Sequence, residues 1–460
     1  MALGTPPDRT PRRAPAGSRL FAVALRPLQA FFRLEAASGL VLLGCAVAAL
    51  AWSNLAHESY RAAFATPLAV GFGGAVARFS LLELVNDGLM TLFFFVVGME
   101  IKGELVHGEL RTLSQAALPA VAAVGGMAVP AALFLAFNAG GSGAPGWGIP
   151  MATDIAFCIG VLTLLRGRVP HALVVFVTAL AIFDDIGGIL VIAAFYGTGL
   201  HGSWLLGAAA VAGGALALAR AQVRSAAAWT VAGAVLWAAL HHSGIHATIA
   251  GVVLGLAVPA SPRRPPRDVL RELSAHAGAL ARGAAEEERD QAAVTGIEEG
   301  LAELDAPLTR FVHALHPWIA FGVMPLFALA NSGVSLAALD RSQLTGGVAL
   351  GTTIALVVGK PVGIFAFTAA AVGAGLTRIP GGASHAKLLG VSAVAGIGFT
   401  VALFIAGLAY PGAPRLLDEA KLGILAGSLL SGVAGALLLR ATGPVDVAVT
   451  RPARFTSGPP

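Results

Sequence analysis

The sequence predicts an all-α polytopic membrane protein with about twelve transmembrane helices. Three observations carry that prediction. Hydrophobic residues make up 56% of the 460-residue chain and charged residues only 12%, about half the share of charge found in ordinary soluble domains. Mean hydropathy is +0.79. The apolar residues gather in runs close to the roughly 20 residues that a helix needs to cross a bilayer.

Taken in order, apolar segments lie near residues 36–54, 82–103, 116–137, 149–165, 170–196 and 202–219. Six more lie near 226–240, 244–258, 311–333, 345–371, 385–409 and 417–440. Ahead of them, MALGTPPDRTPRRAPAGSR lacks an early apolar core. It reads as a cytoplasmic tail over 1–35, not as a cleaved signal, with a basic amphipathic surface helix over 20–33. Residues 60–80 alternate small and apolar side chains, the pattern of an extended external hairpin. The stretch 259–309 contains EEERDQ and many alanines and reads as a cytoplasmic loop with helical tendency and a solvated charged face. One transmembrane domain thus spans 36–440, and 441–460 forms a second cytoplasmic tail. The 58 glycines suit helices that pack closely in a membrane.

The positive-inside rule tests this count separately. With Arg9, Arg12, Arg13, Arg19 and Arg26 cytoplasmic, the later inside segments carry Lys102 and Arg111, Arg166 and Arg168, Arg220 and Arg224, then Arg263, Arg264, Arg267 and Arg271. Arg378 and Lys387 come next, then Arg440. The outside loops near 138–148 and 197–203 carry no acidic or basic charge. Both ends therefore fall inside. The net charge of +5 reflects topology; no basic patch interleaves with aromatics, which excludes nucleic-acid binding. Cys45 and Cys158 both lie in apolar runs, which excludes a disulfide framework and a thiolate metal site.

Against this background four charges stand out. Asp154 is the one charge between Thr112 and Leu165, Lys360 the one between Ser342 and Thr377, and Asp184 and Asp185 are adjacent in LAIFDDIGGILV. Each costs about 2.5–3.5 kcal/mol at mid-membrane. Four left unpaired would cost on the order of 10 kcal/mol, comparable to the whole stability of a typical protein. They must be paired, hydrated, protonated or bound to a cation. The span holding Asp154, GWGIPMATDIAFCIG, is interrupted by Gly148 and Pro150, and its counterpart VAGIGFTVALFIAG at 394–407 by Gly396 and Gly398. Two such interrupted segments in corresponding halves point to a transporter site near the midplane. Asp154 and Lys360 are placed to compensate the partial charges of the half-helix ends. Asp184 and Asp185 lie about 100° apart on a helix, so one can meet Lys360 while the other faces a water-filled funnel. Such a pair titrates as a coupled unit and holds either protons or a small hard cation, with Thr153 adding a hydroxyl oxygen. Competition of that kind is what an exchanger requires.

Several longer stretches carry a resemblance. TDIAF at 153–157, ALAIFDDIGGI at 179–189, SGIHATIAG at 243–251, HALHPW at 313–318, GKPVGI at 359–364 and GIGFTVALFIA at 396–406 resemble the NhaA sodium/proton antiporters. NDGLMTLFFFVVGMEIKGEL at 86–105 and AKLGILAGS at 420–428 fit as well, so the likeness runs from about 36 to 440. It implies two inverted-topology repeats over spans three to five and ten to twelve, with spans four and eleven broken and crossed near the site. It also implies electrogenic exchange of one Na⁺ or Li⁺ for two protons, no cofactor, a homodimer, and residence in the bacterial inner membrane. By motif position Asp185 and Asp184 are the ion and proton carboxylates, Lys360 partners Asp184, and Asp154 sits by the crossed ends. Asp87, Glu100, Lys102, Glu104 and His246 fall at positions tied to the cytoplasmic funnel or pH response. Gly103 stands where the family commonly has Arg, and Val312 where it often has Glu; both positions are linked to pH activation, so the resemblance does not fix the pH threshold, and neither touches the expected binding site.

Two rival readings fit less well. A sodium-coupled organic-acid carrier holds its ion with backbone and amide groups, whereas this midplane offers mainly carboxylates. An intramembrane aspartyl protease places its aspartates on separate helices within GxGD and YD stretches, and neither stretch occurs here.

Overall fold

In the computed structural model of the chain, the described residues run from 35 to 444, leaving out 73–74, 166, 198, 263–265, 337–344 and, apart from 294 and 297, 282–305. The amphipathic helix expected over 20–33, the EEERDQ stretch and the far C-terminal tail lie outside them.

The chain enters through α1 (Glu35–Leu55) and turns into α2 (His57–Ala65). Strands β1 (Pro67–Phe72) and β2 (Ala75–Ser80) then pair antiparallel, with Pro67 opposite Ser80 and Phe72 opposite Ala75. The hairpin is therefore real but begins later than its sequence pattern suggests. Residues 60–65 are helical because Tyr60 and Phe64, one turn apart, both bury against the bundle, and that anchoring outweighs local alternation. The Tyr60 hydroxyl fixes the turn by donating to Ala330 O at 2.8 Å.

Next come the long helices: α3 (Leu81–Val106), α4 (Leu113–Asn138), α5 (Ile155–Leu164), α6 (His171–Phe195), α7 (Gly202–Arg220), α8 (Ala226–Ser243) and α9 (Ile249–Ala257). After α10 (Pro266–Ala281) in the long loop come α11 (Pro307–Asn331), α12 (Gly347–Gly373), α13 (His385–Val394), α14 (Phe399–Ala409) and α15 (Pro414–Ala441). Among the described residues nine helical segments are long and apolar enough to cross a membrane, and the bent pair α13–α14 makes ten. The chain is thus a multi-pass membrane protein. The two remaining expected positions are filled by α8 and α9, which do not qualify on length and composition alone. The eighth segment, expected over 244–258, forms a helix only from Ile249. Gly244, at φ +86°, ends α8 in the left-handed conformation, and 245–248 form a turn before α9 starts. Nine residues give α9 a length of about 14 Å, half of a hydrocarbon core.

The fourth and eleventh segments are broken, as their glycines and proline predict. The fourth begins as a 3₁₀ segment (Ala144–Met151), runs extended through Asp154 and resumes as α5. The eleventh bends by 49° between α13 and α14. The two breaks touch: the Asp154 N–H donates to Ile397 O at 2.7 Å. Around them the helices are most enclosed, with 61% of the α6 span buried against 11% for α7. The core sits on the breaks, and α7 lies at the rim with its apolar faces turned outward.

Close packing holds α4 against α12. A Cβ added to Gly363 would lie 2.1 Å from Gly125 O, and one added to Gly125 would lie 2.4 Å from Gly363 O. Backbone on both sides leaves no side chain to move away. Gly363→Ala should therefore destabilise the folded protein by about 1–3 kcal/mol through overpacking, read as a lower midpoint in a thermal melt of the detergent-solubilised protein; an unchanged midpoint would contradict the contact.

Candidate functional site

The four intramembrane charges converge at the breaks. Asp184 and Asp185 lie on α6, both buried. Asp184 Oδ2 stands 2.9 Å from Lys360 Nζ and accepts the Thr153 hydroxyl at 2.6 Å. Lys360, fully buried on α12, also donates to Met151 O, the last carbonyl of the 3₁₀ segment. Thr153 Oγ1 lies in addition 3.1 Å from Ala395 O, just beyond α13. Asp184 Oδ1 has no hydrogen-bond partner among the described residues.

Asp154 serves the opposite ends. Its Oδ1 accepts the Phe157 N–H at 3.1 Å, capping α5. Its Oδ2 accepts both the N–H (3.1 Å) and the hydroxyl (2.6 Å) of Thr400, at the start of α14. A carboxylate thus meets two helix N-termini, while an ammonium and a hydroxyl meet two helical C-terminal carbonyls. Each pairing has the sign that the helix dipole favours.

Asp185 points elsewhere. It lines a cavity of about 1070 Å³ together with Thr153, Asp154, Thr400, Glu100 and His316. Asp184 is not in that lining. The two neighbouring carboxylates are therefore in different surroundings, one tied to Lys360 and one facing the cavity.

The five residues assigned to the funnel or pH response do not form one group. Glu100 lines the cavity. Lys102 Nζ donates to Val258 O at 2.7 Å and Ala257 O at 3.3 Å, closing the C-terminus of α9. Glu104 lies one turn after Glu100 on α3, its side chain folded towards Gly108. Asp87 lies at the other end of that helix, about 20 Å from Glu100 at 1.5 Å per residue, with its Oδ1 3.8 Å from His246 Nε2. His246 Nδ1 also meets Thr248 Oγ1 at 3.0 Å. Gly103 faces Leu308, with room for a Cβ at 3.7 Å, and Val312 packs against the core. Sequence reasoning assigned no role to Thr400 or His316, although both stand in quoted motifs; a hydroxyl two residues after the Gly396–Gly398 break was the available signal for Thr400.

Charged side chains at the meeting point of two interrupted membrane helices define the architecture of a secondary transporter. The profile of the family described as Na⁺/H⁺ antiporter 1 matches residues 29–439. The chain belongs to that family. It is 66% identical over 438 residues to a protein named Na(+)/H(+) antiporter NhaA from Anaeromyxobacter sp. (strain Fw109-5), covering 95% of this chain and 96% of the relative. It is 57% identical over 437 residues to Na(+)/H(+) antiporter NhaA 1 of Myxococcus xanthus (strain DK1622), covering 95% and 97%. A relative named Na(+)/H(+) antiporter NhaA in Rhodopirellula baltica is 46% identical over 424 residues, covering 91% and 95%.

The Thr400 hydroxyl should matter for stability through Asp154. Thr400→Val keeps the shape and leaves Oδ2 with a backbone donor alone, at a cost of about 1–3 kcal/mol, while Thr400→Ser should stay near wild type. Thermal unfolding of both purified variants checks this, and equal midpoints for Val and Ser would refute it.

Proposed function

We propose that the chain is an electrogenic antiporter of the bacterial inner membrane. It exports one Na⁺ or Li⁺ while two protons enter, working by alternating access as a homodimer built on inverted repeats, with both termini cytoplasmic. The observation that carries this reading is the contrast between Asp184, tied to Lys360, and Asp185, open to the cavity.

Asp185 meets the arriving ion. A hard cation prefers oxygen ligands, and the Asp185 carboxylate and the Thr153 hydroxyl oxygen both line the cavity, with the Asp184 carboxylate joined to Thr153 just behind it. Protons occupy the same carboxylates, so each ion's arrival requires the other's departure. Lys360 balances Asp184 when the cation is away and yields when it arrives. Moving two protons inward for one sodium outward carries one net charge, so the membrane potential contributes about 2.3 kcal/mol per 100 mV to each cycle. Asp154 keeps the half-helix ends in place throughout. Glu100, at the cavity wall, belongs to the inward funnel, with Lys102 and Glu104 on the next turn. Asp87 and His246 form a polar pair on the far side, where pH acts on the release route. Na⁺ and Li⁺ are cargo, and the cycle uses no cofactor.

The cavity is large enough for a small organic solute. Its lining, however, includes the carboxylates of Glu100, Asp154 and Asp185, which would repel an organic acid and attract a bare cation.

Asp185→Asn should abolish exchange, because an amide releases no proton to admit the cation. The test is sodium-driven dissipation of a pH gradient in everted vesicles; retained dissipation would overturn the assignment. Lys360→Ala should weaken exchange or cut its voltage sensitivity, seen as smaller sodium-evoked currents on solid-supported membranes, and unchanged currents would remove Lys360 from the mechanism.

A further inference from the structure

Two serines one turn apart on α15 meet backbone groups at the broken ends of α13 and α14. Ser428 Oγ accepts the Phe399 N–H at 3.2 Å, in the first turn of α14. Ser431 Oγ, fully buried, lies 2.8 Å from Ala393 O at the end of α13. It also lies 3.3 Å from Leu356 O, which belongs to a π-helical segment, Ala355–Gly359, placed directly before Lys360 within α12. Such segments disturb the regular ladder and re-aim the side chains of the next turn, and they cluster at functional sites. The three groups converge on Gly396, where an added Cβ would come 2.1 Å from Ser431 Oγ and 2.5 Å from Leu356 O. Neither serine lines the cavity or touches the aspartates.

A serine hydroxyl carries one proton. Ser431 can therefore donate to Ala393 O or to Leu356 O, but not fully to both. Ala393 O also accepts the Gly396 N–H at 3.0 Å, whereas in the π segment the Lys360 N–H goes to Ala355 O and Pro361 has none to offer Leu356 O, so the nearer carbonyl is already served and the farther one depends on the hydroxyl. A small relative shift of α13 and α12 is enough to move the proton from one carbonyl to the other. Leu356 stands one turn before Lys360, whose ammonium holds both Met151 O and Asp184.

We propose that Ser431 is a positioning residue for exchange: its hydroxyl ties the π turn that aims Lys360 to the broken end of α13, and passes movement between them. This rests on the part assigned above to Lys360 and Asp184. Removing the hydroxyl loosens the ammonium's aim without removing any ion ligand.

The test compares Ser431→Ala, Ser431→Cys and Ser431→Thr in the full chain, reconstituted in liposomes, with wild type alongside. Ser431→Ala should raise the half-saturating Na⁺ concentration about two- to tenfold, the worth of one buried hydrogen bond, with little change in maximal rate. Thr should restore the wild-type value, and Cys, a weaker donor, should fall between. Amide hydrogen exchange of the purified proteins, which needs no transport, should quicken in peptides covering 354–360 and 393–400 for Ala and return to the wild-type rate for Thr. Unchanged sodium dependence in folded Ser431→Ala would overturn the proposal, as would a defect that Thr does not rescue or unaltered exchange in both peptides. A wild-type protein that moves no protons against sodium would instead overturn the antiporter reading itself, while the hydrogen-exchange arm would still decide whether Ser431 ties the two segments.

Discussion

A helix interrupted inside a membrane protein exposes N–H and C=O groups where water is scarce, and each group left alone there costs several kcal/mol. This chain interrupts two helices and brings the interruptions together, so the difficulty is doubled and concentrated in one place. The solutions are specific. The N-termini of α5 and α14 share the Asp154 carboxylate, and Met151 O takes the Lys360 ammonium. Thr153 Oγ1, whose proton goes to Asp184, still lies beside Ala395 O at 3.1 Å, and Ala393 O meets the Gly396 N–H and the Ser431 hydroxyl. Two of these partners carry charge, and a buried charge creates its own demand. Lys360 needs an anion and finds Asp184. The acidic pair on α6 is thus a consequence of the broken helices and not an independent decoration of the core.

Adjacency on a helix then divides the pair. With about 100° between neighbours, the residue that turns toward α12 cannot share its surroundings with the next. Asp184 is enclosed by Lys360 and Thr153, and Asp185 opens to the cavity. Backbone-on-backbone packing at Gly125 and Gly363 fixes α4 against the helix that carries Lys360, so the ammonium approaches from a rigid wall. A comparable contact holds α9 on α3, where a Cβ at Gly251 would come 2.2 Å from Thr91 O.

Most of this was legible in the sequence, for reasons that also mark where legibility ends. Apolar runs report spans directly, because hydrocarbon acts on each segment alone. The interruptions were legible because Gly and Pro state their backbone preferences locally, and the four charges because little else in those spans is ionisable. By contrast, α9 is short and owes its place to its fit against α3, a tertiary fact that no local pattern encodes. The π segment before Lys360 was invisible for the same reason. Thr400 and Ser431 were overlooked because a hydroxyl in an apolar run is ordinary; only the position of a distant carbonyl or carboxylate makes it functional. Asp87, His246 and Glu100 all belong to recognisable motifs, but motifs carry no distances, and most of a helix length separates Asp87 from Glu100.

That separation bears on the proposed mechanism. Glu100 lines the cavity together with Asp185, while the Asp87–His246 pair lies at the other end of α3. Between them stands Phe404, one turn beyond the cavity-lining Thr400 on α14. Its ring lies 5.3 Å from Phe94 and 6.3 Å from Phe327. It meets the His246 ring edge-on at 5.5 Å. An aromatic layer of this kind offers a hydrated cation no carboxylate, so in the proposed mechanism an ion at Asp185 would pass toward Asp87 by way of a movement of α14. The base of α14 is held by Asp154 and Ser428, the same groups that satisfy its free N–H ends. A displacement that opens the layer therefore has to strain the bonds at the breaks, and those bonds adjoin the carboxylates whose occupancy changes. In the proposed mechanism, charge at the site and access to it would be coupled because one set of backbone ends serves both.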